Sequence, residues 1–229
     1  MSKRVIVAID GPAGAGKSTL ARRIAGKLGF LYIDSGAMYR AVGLWALRCG
    51  LDLSDAHRLE QLAKEARIEL QPENGRVLLN GEDVTEAIRT PEVSQAASKV
   101  SVIAGVRRAM VAEQRRMASE TSVVMEGRDI GTVVFPDAEI KIFLDADVAE
   151  RAQRRLAEVQ ARGEAIDAER MAREIAERDK RDRGREMAPL VQAPDAIYVD
   201  STHMGIDEVE EAVLRIIRER TSNGKEWNS

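Results

Sequence analysis

The chain has 229 residues, room for one large domain or for one domain carrying an inserted lobe. Apolar residues make up 44% of it but aromatics only 3%, so the core must be built from Val, Ile, Leu, Ala and Met. That excludes a fold resting on aromatic packing and argues against the stacking surfaces that bind single-stranded nucleic acid. Lys and Arg number 35 against 38 acidic side chains, a formal charge of −3, whereas a general polyanion binder is basic overall; no nucleic-acid partner is expected. Within the basic set, 27 residues are Arg and 8 are Lys. Arg presents a planar fork that matches phosphate and carboxylate two bonds at a time. A coding bias that scatters Arg over the surface accounts for such an excess equally well, so position must separate the two.

Cys49 is the only cysteine, which rules out an intrachain disulfide and a Cys-rich zinc site. Lys3 and Arg4 precede an apolar run, Val5 to Ile9, that is too short for a signal peptide. No stretch approaches the roughly 18 apolar residues of a membrane span. A soluble, cytoplasmic protein with no membrane partner is the expectation.

In chain order, Val5 to Ile9 reads as a strand buried on both faces. It ends at Asp10 and a glycine-rich loop. From Ser18 the spacing turns helical, with Leu20, Ile24 and Leu28 on one face and Gly29 as the stop. Phe30 to Ile33 is a second strand, and Asp34 or Ser35 caps a helix that runs toward Cys49 and ends at Gly50. Ile68 to Gln71, the turn Pro72-Glu73-Asn74-Gly75, Arg76 to Leu79 and then Asn80-Gly81 form antiparallel hairpin material. That hairpin interrupts the series and marks an inserted lobe. Ser122 to Met125, Glu139 to Leu144 and Ala196 to Val199 are further short strands between segments of helical composition. Strands alternating with amphipathic helices predict an α/β fold with a parallel sheet covered on both faces. Glu150 to Arg185 is dense in both charges and broken at Gly163. It is either a pair of solvated helices laced with i,i+4 ion pairs or a mobile lid that brings Arg to a bound anion. The tail from Thr221 to Ser229 is polar and expected to fray.

Gly11-Pro12-Ala13-Gly14-Ala15-Gly16-Lys17-Ser18 satisfies the phosphate-loop pattern. A buried strand enters it and an amphipathic helix leaves it, so backbone N–H groups and a helix N-terminus converge on one phosphate chain. Lys17 is placed to reach the β- and γ-phosphates, and the Ser18 hydroxyl to help hold Mg²⁺. The loop names a ligand and not a reaction. No base-reading Asn-Lys-x-Asp segment of a GTPase is present. Ile140 to Asp145 offers an apolar strand with an acidic end of the kind motor ATPases use on Mg²⁺, although Asp145 serves equally as a helix cap. A small chain with an N-terminal phosphate loop, an inserted lobe and an Arg-dense segment suits a small-molecule kinase, which must close over two anions and exclude water.

Four strings then stand in order: Asp10 to Thr19, Asp34-Ser35-Gly36-Ala37-Met38-Tyr39-Arg40, Gly127-Arg128-Asp129-Ile130-Gly131-Thr132-Val133-Val134-Phe135-Pro136, and Arg178-Asp179-Lys180-Arg181-Asp182-Arg183 with Arg185. Together they resemble bacterial cytidylate kinase over nearly the whole chain. The resemblance implies a P-loop kinase core with a five-stranded parallel sheet flanked by helices (residues 1–61, 97–148 and 186–229), a nucleoside-monophosphate-binding insert (62–96) and a helical lid (149–185). It implies ATP-dependent phosphorylation of CMP and dCMP with Mg²⁺ by a monomer. Gly11, Pro12, Ala13, Gly14, Ala15, Gly16, Lys17, Ser18 and Thr19 are implied to hold ATP, with Ser18 on the metal. Ser98, Arg107 and Asp129 are implied to read cytosine; Arg40, Arg128 and Arg185 to hold the acceptor phosphate; Arg178 and Asp182 to meet the ribose; and Ser35 to line the pocket. Lys17, Arg128 and Arg185 are the implied catalytic set. Cytosine offers an exocyclic amine with ring nitrogen and carbonyl acceptors, which a carboxylate, an Arg and a hydroxyl can satisfy, while a purine leaves some of them unpaired. The bland alternatives, weaker than the implied roles, are a helix-face serine for Ser98 and a surface residue for Arg107, which stands beside Arg108. Which of Arg181 and Arg183 faces ATP stays open. Residue 126 is Glu where the family pattern often carries Asp, and no role is assigned to it. Another small-molecule kinase of this fold, of adenylate or shikimate type, and a non-catalytic ATP-binding switch are the rival readings.

Overall fold

The computed structural model describes residues 4–71, 74–161, 163 and 167–222. The central sheet has five strands: β1 (Ile6–Asp10), β2 (Leu31–Asp34), β6 (Val123–Gly127), β7 (Ile140–Asp145) and β8 (Ile197–Asp200), in the spatial order β2-β6-β1-β7-β8. By its contacts the chain divides into two compact units, residues 1–30 with 122–229 and residues 31–121.

In the first unit β1 pairs in parallel with β6 on one side and β7 on the other, and β7 pairs in parallel with β8. All five residues of β1 and of β6 are buried, which is why both read as unbroken apolar runs and not as alternating ones. The helix α1 (Lys17–Leu28) follows the loop after β1 and stops at Gly29, which takes the left-handed conformation expected of a helix-ending glycine. α6 (Val148–Gln160) and α7 (Ala168–Arg183) pack on each other through Ala152, Val159, Met171 and Ile175. α8 (Ile206–Ser222) lies against α1, where Arg23 and Lys27 of α1 both pair with the buried Glu210. The helix runs through Thr221 and Ser222, two residues into the stretch expected to fray; residues 223–229 of that tail lie outside the described residues.

The second unit carries α2 (Ser35–Arg48), α3 (Ala56–Glu65), the strands β3 (Ile68–Gln71), β4 (Arg76–Leu79) and β5 (Glu82–Asp83), a 3₁₀ turn at Ala87–Arg89, α4 (Pro91–Val100) and α5 (Ala104–Met117). β3, β4 and β5 form an antiparallel sheet. Asn80 and Gly81 both have positive φ, 53° and 85°, the signature of the two-residue turn that the Asn-Gly pair predicted between β4 and β5. Pro72 and Glu73 of the preceding turn lie outside the described residues. α2 and α4 approach closely because Gly43 has no side chain: a Cβ there would stand 2.9 Å from the Ala97 nitrogen.

Candidate active site

The glycine-rich loop leaves β1 at Gly11, whose φ of 152° and whose approach to the Leu144 carbonyl admit no Cβ. Gly16 caps α1 with φ 91° and offers no side-chain acceptor, and the first turn of the helix holds no acidic residue. The N–H groups of that turn are therefore left for an anion. Lys17 is buried, and its Nζ donates to the Pro12 carbonyl at 2.6 Å. Burial, followed by the nearby Arg128 and Arg178 charges, brings this ammonium down to about 7, with Glu126 and Asp10 opposing in part. Ser18 and Thr19 are exposed on the first turn of α1.

Asp145 accepts from the Ala146 N–H and does not cap the following helix; Asp147 stands at that position, without a side-chain capping bond.

β6 ends at Gly127, and the next residues carry the charged part of the first unit. Arg128 Nε donates to Asp182 Oδ2 at 2.9 Å, and Arg185 pairs with Asp182 Oδ1. Burial of Asp182 works against its ionisation, but Arg128, Arg185 and Arg178 outweigh it and hold the carboxyl below its ordinary range. Asp129 is buried at the head of a π-helical turn, Ile130–Val134. Lys17, Arg128, Arg178, Asp182 and Arg185 thus form one electrostatically connected group, while Arg181 and Arg183 point to solvent.

The reading of solvated helices laced with ion pairs describes one side of this charged segment. Arg155 with Glu158, Arg170 with Glu174 and Arg173 with Glu169 are exposed ion pairs at helical spacing. Asp179 and Asp182 lie on the buried face of α7.

The second unit gathers Ser35, Arg40, Ser98 and Arg107. Asp34 caps α2, its Oδ1 accepting from Ala37 N, while its Oδ2 pairs with Arg40 at 3.0 Å. Ser35 is buried on the first turn. Arg107 is buried at 4% exposure, which removes the surface reading; it donates to the Ser101 carbonyl and lies 5.7 Å from the Tyr39 ring centroid, within cation–π range. Ser101 Oγ in turn donates to the Ser98 carbonyl. Ser98 is buried as well, and its hydroxyl has no hydrogen-bond partner among the described residues. A buried hydroxyl left this way is costly unless something else satisfies it.

Residues 7–219 match the family model described as cytidylate kinase. The chain belongs to the cytidylate kinase family. A cytidylate kinase of Solibacter usitatus is 62% identical over 228 residues, spanning 99% of this chain and 97% of the relative. One from Geobacillus kaustophilus is 51% identical, spanning 96% of this chain and 99% of its own. Among solved structures, an uncharacterized protein from Eubacterium ventriosum is 14% identical with a TM-score of 0.50, covering 93% of this chain and 98% of that one; this likeness speaks to the fold alone.

The family strings do not single out every residue at the site. Arg151, buried at 2% exposure, donates from Nε to the Ala146 carbonyl and from Nη1 to the Ala13 carbonyl of the phosphate loop, and pairs through Nη2 with Asp179 at 2.7 Å. It ties the loop to α7. Its only trace in the sequence is one Arg among many in a charged helix. Asp10 and Glu126 are buried carboxylates at the ends of β1 and β6. Asp10 opens the first recognised string and Glu126 directly precedes the third, yet neither drew a role from its sequence context.

Proposed function

We propose that the protein transfers the γ-phosphoryl group of ATP to CMP and dCMP, giving CDP and dCDP. Membership of the cytidylate kinase family over residues 7–219 carries this reading, and the charged group around Lys17 and Asp182 supports it. In the proposal the phosphate loop and Lys17 hold ATP. Arg128 and Arg185 meet the acceptor phosphate together with Arg40. Arg178 and Asp182 hold the ribose, and Ser98, Arg107 and Asp129 read the cytosine edge, with Ser35 lining the pocket. The unsatisfied Ser98 hydroxyl is suited to a base edge. The acceptor is already an anion, so positioning and charge neutralisation do the work and no strong general base is required.

Among the described residues no cluster of three or more His, Cys, Asp or Glu is placed to hold a metal. Mg²⁺ that arrives with a triphosphate keeps most of its waters and takes one or two protein oxygens, which the exposed Ser18 hydroxyl fits. When bound, the ion neutralises charge on the transferring group. No helix among the described residues is long and apolar enough to cross a membrane, and the proposal is of a cytoplasmic monomer.

An ADP-release assay across CMP, dCMP, UMP, AMP and shikimate, with direct detection of CDP, tests the reading. Turnover fastest with CMP or dCMP is the expected result. Preference for AMP or shikimate would point to the rival kinases, and ATP binding without transfer to any acceptor would point to a switch.

A further inference from the structure

Asp10 is the last residue of β1, immediately before the phosphate loop. Its Oδ1 accepts from the Ile130 N–H at 2.8 Å and its Oδ2 from the Gly131 N–H at 2.7 Å. These are the first two residues of the π-helical turn, directly after Arg128 and Asp129. We propose that Asp10 is a positioning residue for the phosphoryl acceptor, its carboxylate fixing the backbone that presents Arg128 and Asp129.

Two oxygens on two consecutive N–H groups fix two successive peptide planes, and hydrogen bonds to an ionised acceptor are stronger than neutral ones. The carboxylate is buried, 5% exposed, so water offers the loop little alternative. The fit is close from the other side as well. A Cβ on Gly131 would stand 3.4 Å from Asp10 Oδ2 and 3.1 Å from Lys141 Cδ, and Lys141 is itself held by Asp195 and the Pro136 carbonyl. The turn is thus confined between Asp10 and Lys141. One residue of β1 opens the loop assigned to ATP and, through its side chain, holds the loop assigned to the acceptor. No such link follows from the phosphate-loop pattern, because the partner segment lies 120 residues further along the chain.

The inference rests on the assignment of Arg128 and Asp129 to the acceptor. Asp10→Asn keeps the shape but retains one acceptor oxygen and turns an amide toward the second N–H, which loosens the turn. The expected result is a KM for CMP raised about tenfold, with kcat and the KM for ATP within about threefold of wild type. A residue needed only for folding would reduce the active fraction, lowering kcat at unchanged KM. Asp10→Ser, which removes the bidentate acceptor without introducing the amide, is measured beside it in case the first variant is poorly folded. An unchanged KM for CMP in the folded variants, or an equal rise for ATP, overturns the inference. Wild type is assayed first with each acceptor. If it phosphorylates another monophosphate in place of CMP, the functional reading falls, while Asp10 is still judged by the KM for that acceptor.

Discussion

The end of β1 and the inner face of α7 each bury a carboxylate, and the two respond in opposite ways. Asp10 faces backbone N–H groups and a single ammonium. Its burial prevails over the bonds from Gly131 and Ile130, and the carboxyl is pushed up to about 6, with Asp129 adding to the rise and Lys17 opposing it. Asp182 is also buried, but the charges of Arg128, Arg185 and Arg178 carry it below its ordinary value. Desolvation disfavours the charged form in both places; the density of positive charge decides the sign. The guanidinium-rich face of α7 thus holds a fixed anion, whereas the carboxylate of Asp10 titrates near neutral pH.

The most severe way to disturb this contrast is Lys17→Ala, which takes the ammonium from beside Asp10. Phosphoryl transfer should fall by about 10³-fold or more, with far-UV circular dichroism and the cooperative melt retained. A variant that transfers phosphate at near wild-type rate would remove Lys17 from the assigned site. Arg128→Ala strips one of the guanidinium groups from Asp182. Steady-state kinetics should show a loss of about 10²-fold in kcat/KM, larger in proportion than any change in melting temperature.

Acid melts sharpen the comparison directly. The folded pKa of Asp182 is depressed, so its contribution to stability is present above the ordinary carboxylate pKa and is lost as pH falls through the lower folded value. Asp10 has the opposite sign. Its folded form binds more protons between about pH 4 and pH 6, so its share of stability is greatest at the acid end of that window and declines as pH rises through 6. Melting temperatures of Asp182→Asn should lack the wild-type loss at the acid extreme, and those of Asp10→Asn the decline between pH 4 and 6. The reverse assignment would mean that the charge environments have been misread. Least affected should be Arg170→Ala, which removes an exposed pair with Glu174; thermal unfolding should move by no more than about 0.5 kcal/mol.

The same contrast explains what could be read from the amino acids alone. The phosphate loop was legible because its demands fall on contiguous backbone: a strand, glycines at close approach, then Lys and a helix. The alternation of short apolar runs with helical segments located all five sheet strands, because each run is mostly apolar and too short to be a helix. α6 and α7 resisted. Their shared core is four small or medium apolar side chains, Ala152, Val159, Met171 and Ile175, too few to show which of the many charges turn inward. The burial of Arg107 comes from packing around Tyr39 and Ser101, elements separated along the chain. Asp10 stands directly before the strongest motif, but its partners are N–H groups, which every residue except proline carries and which leave no mark in composition.

Cys49 closes α2 as its C-terminal cap, with its thiol exposed. Because the chain has no other cysteine, a maleimide dye enters at one known position in the second unit without any engineered substitution. Fluorescence from that label gives a direct optical readout of whether adding ATP, CMP or both alters the surroundings of α2.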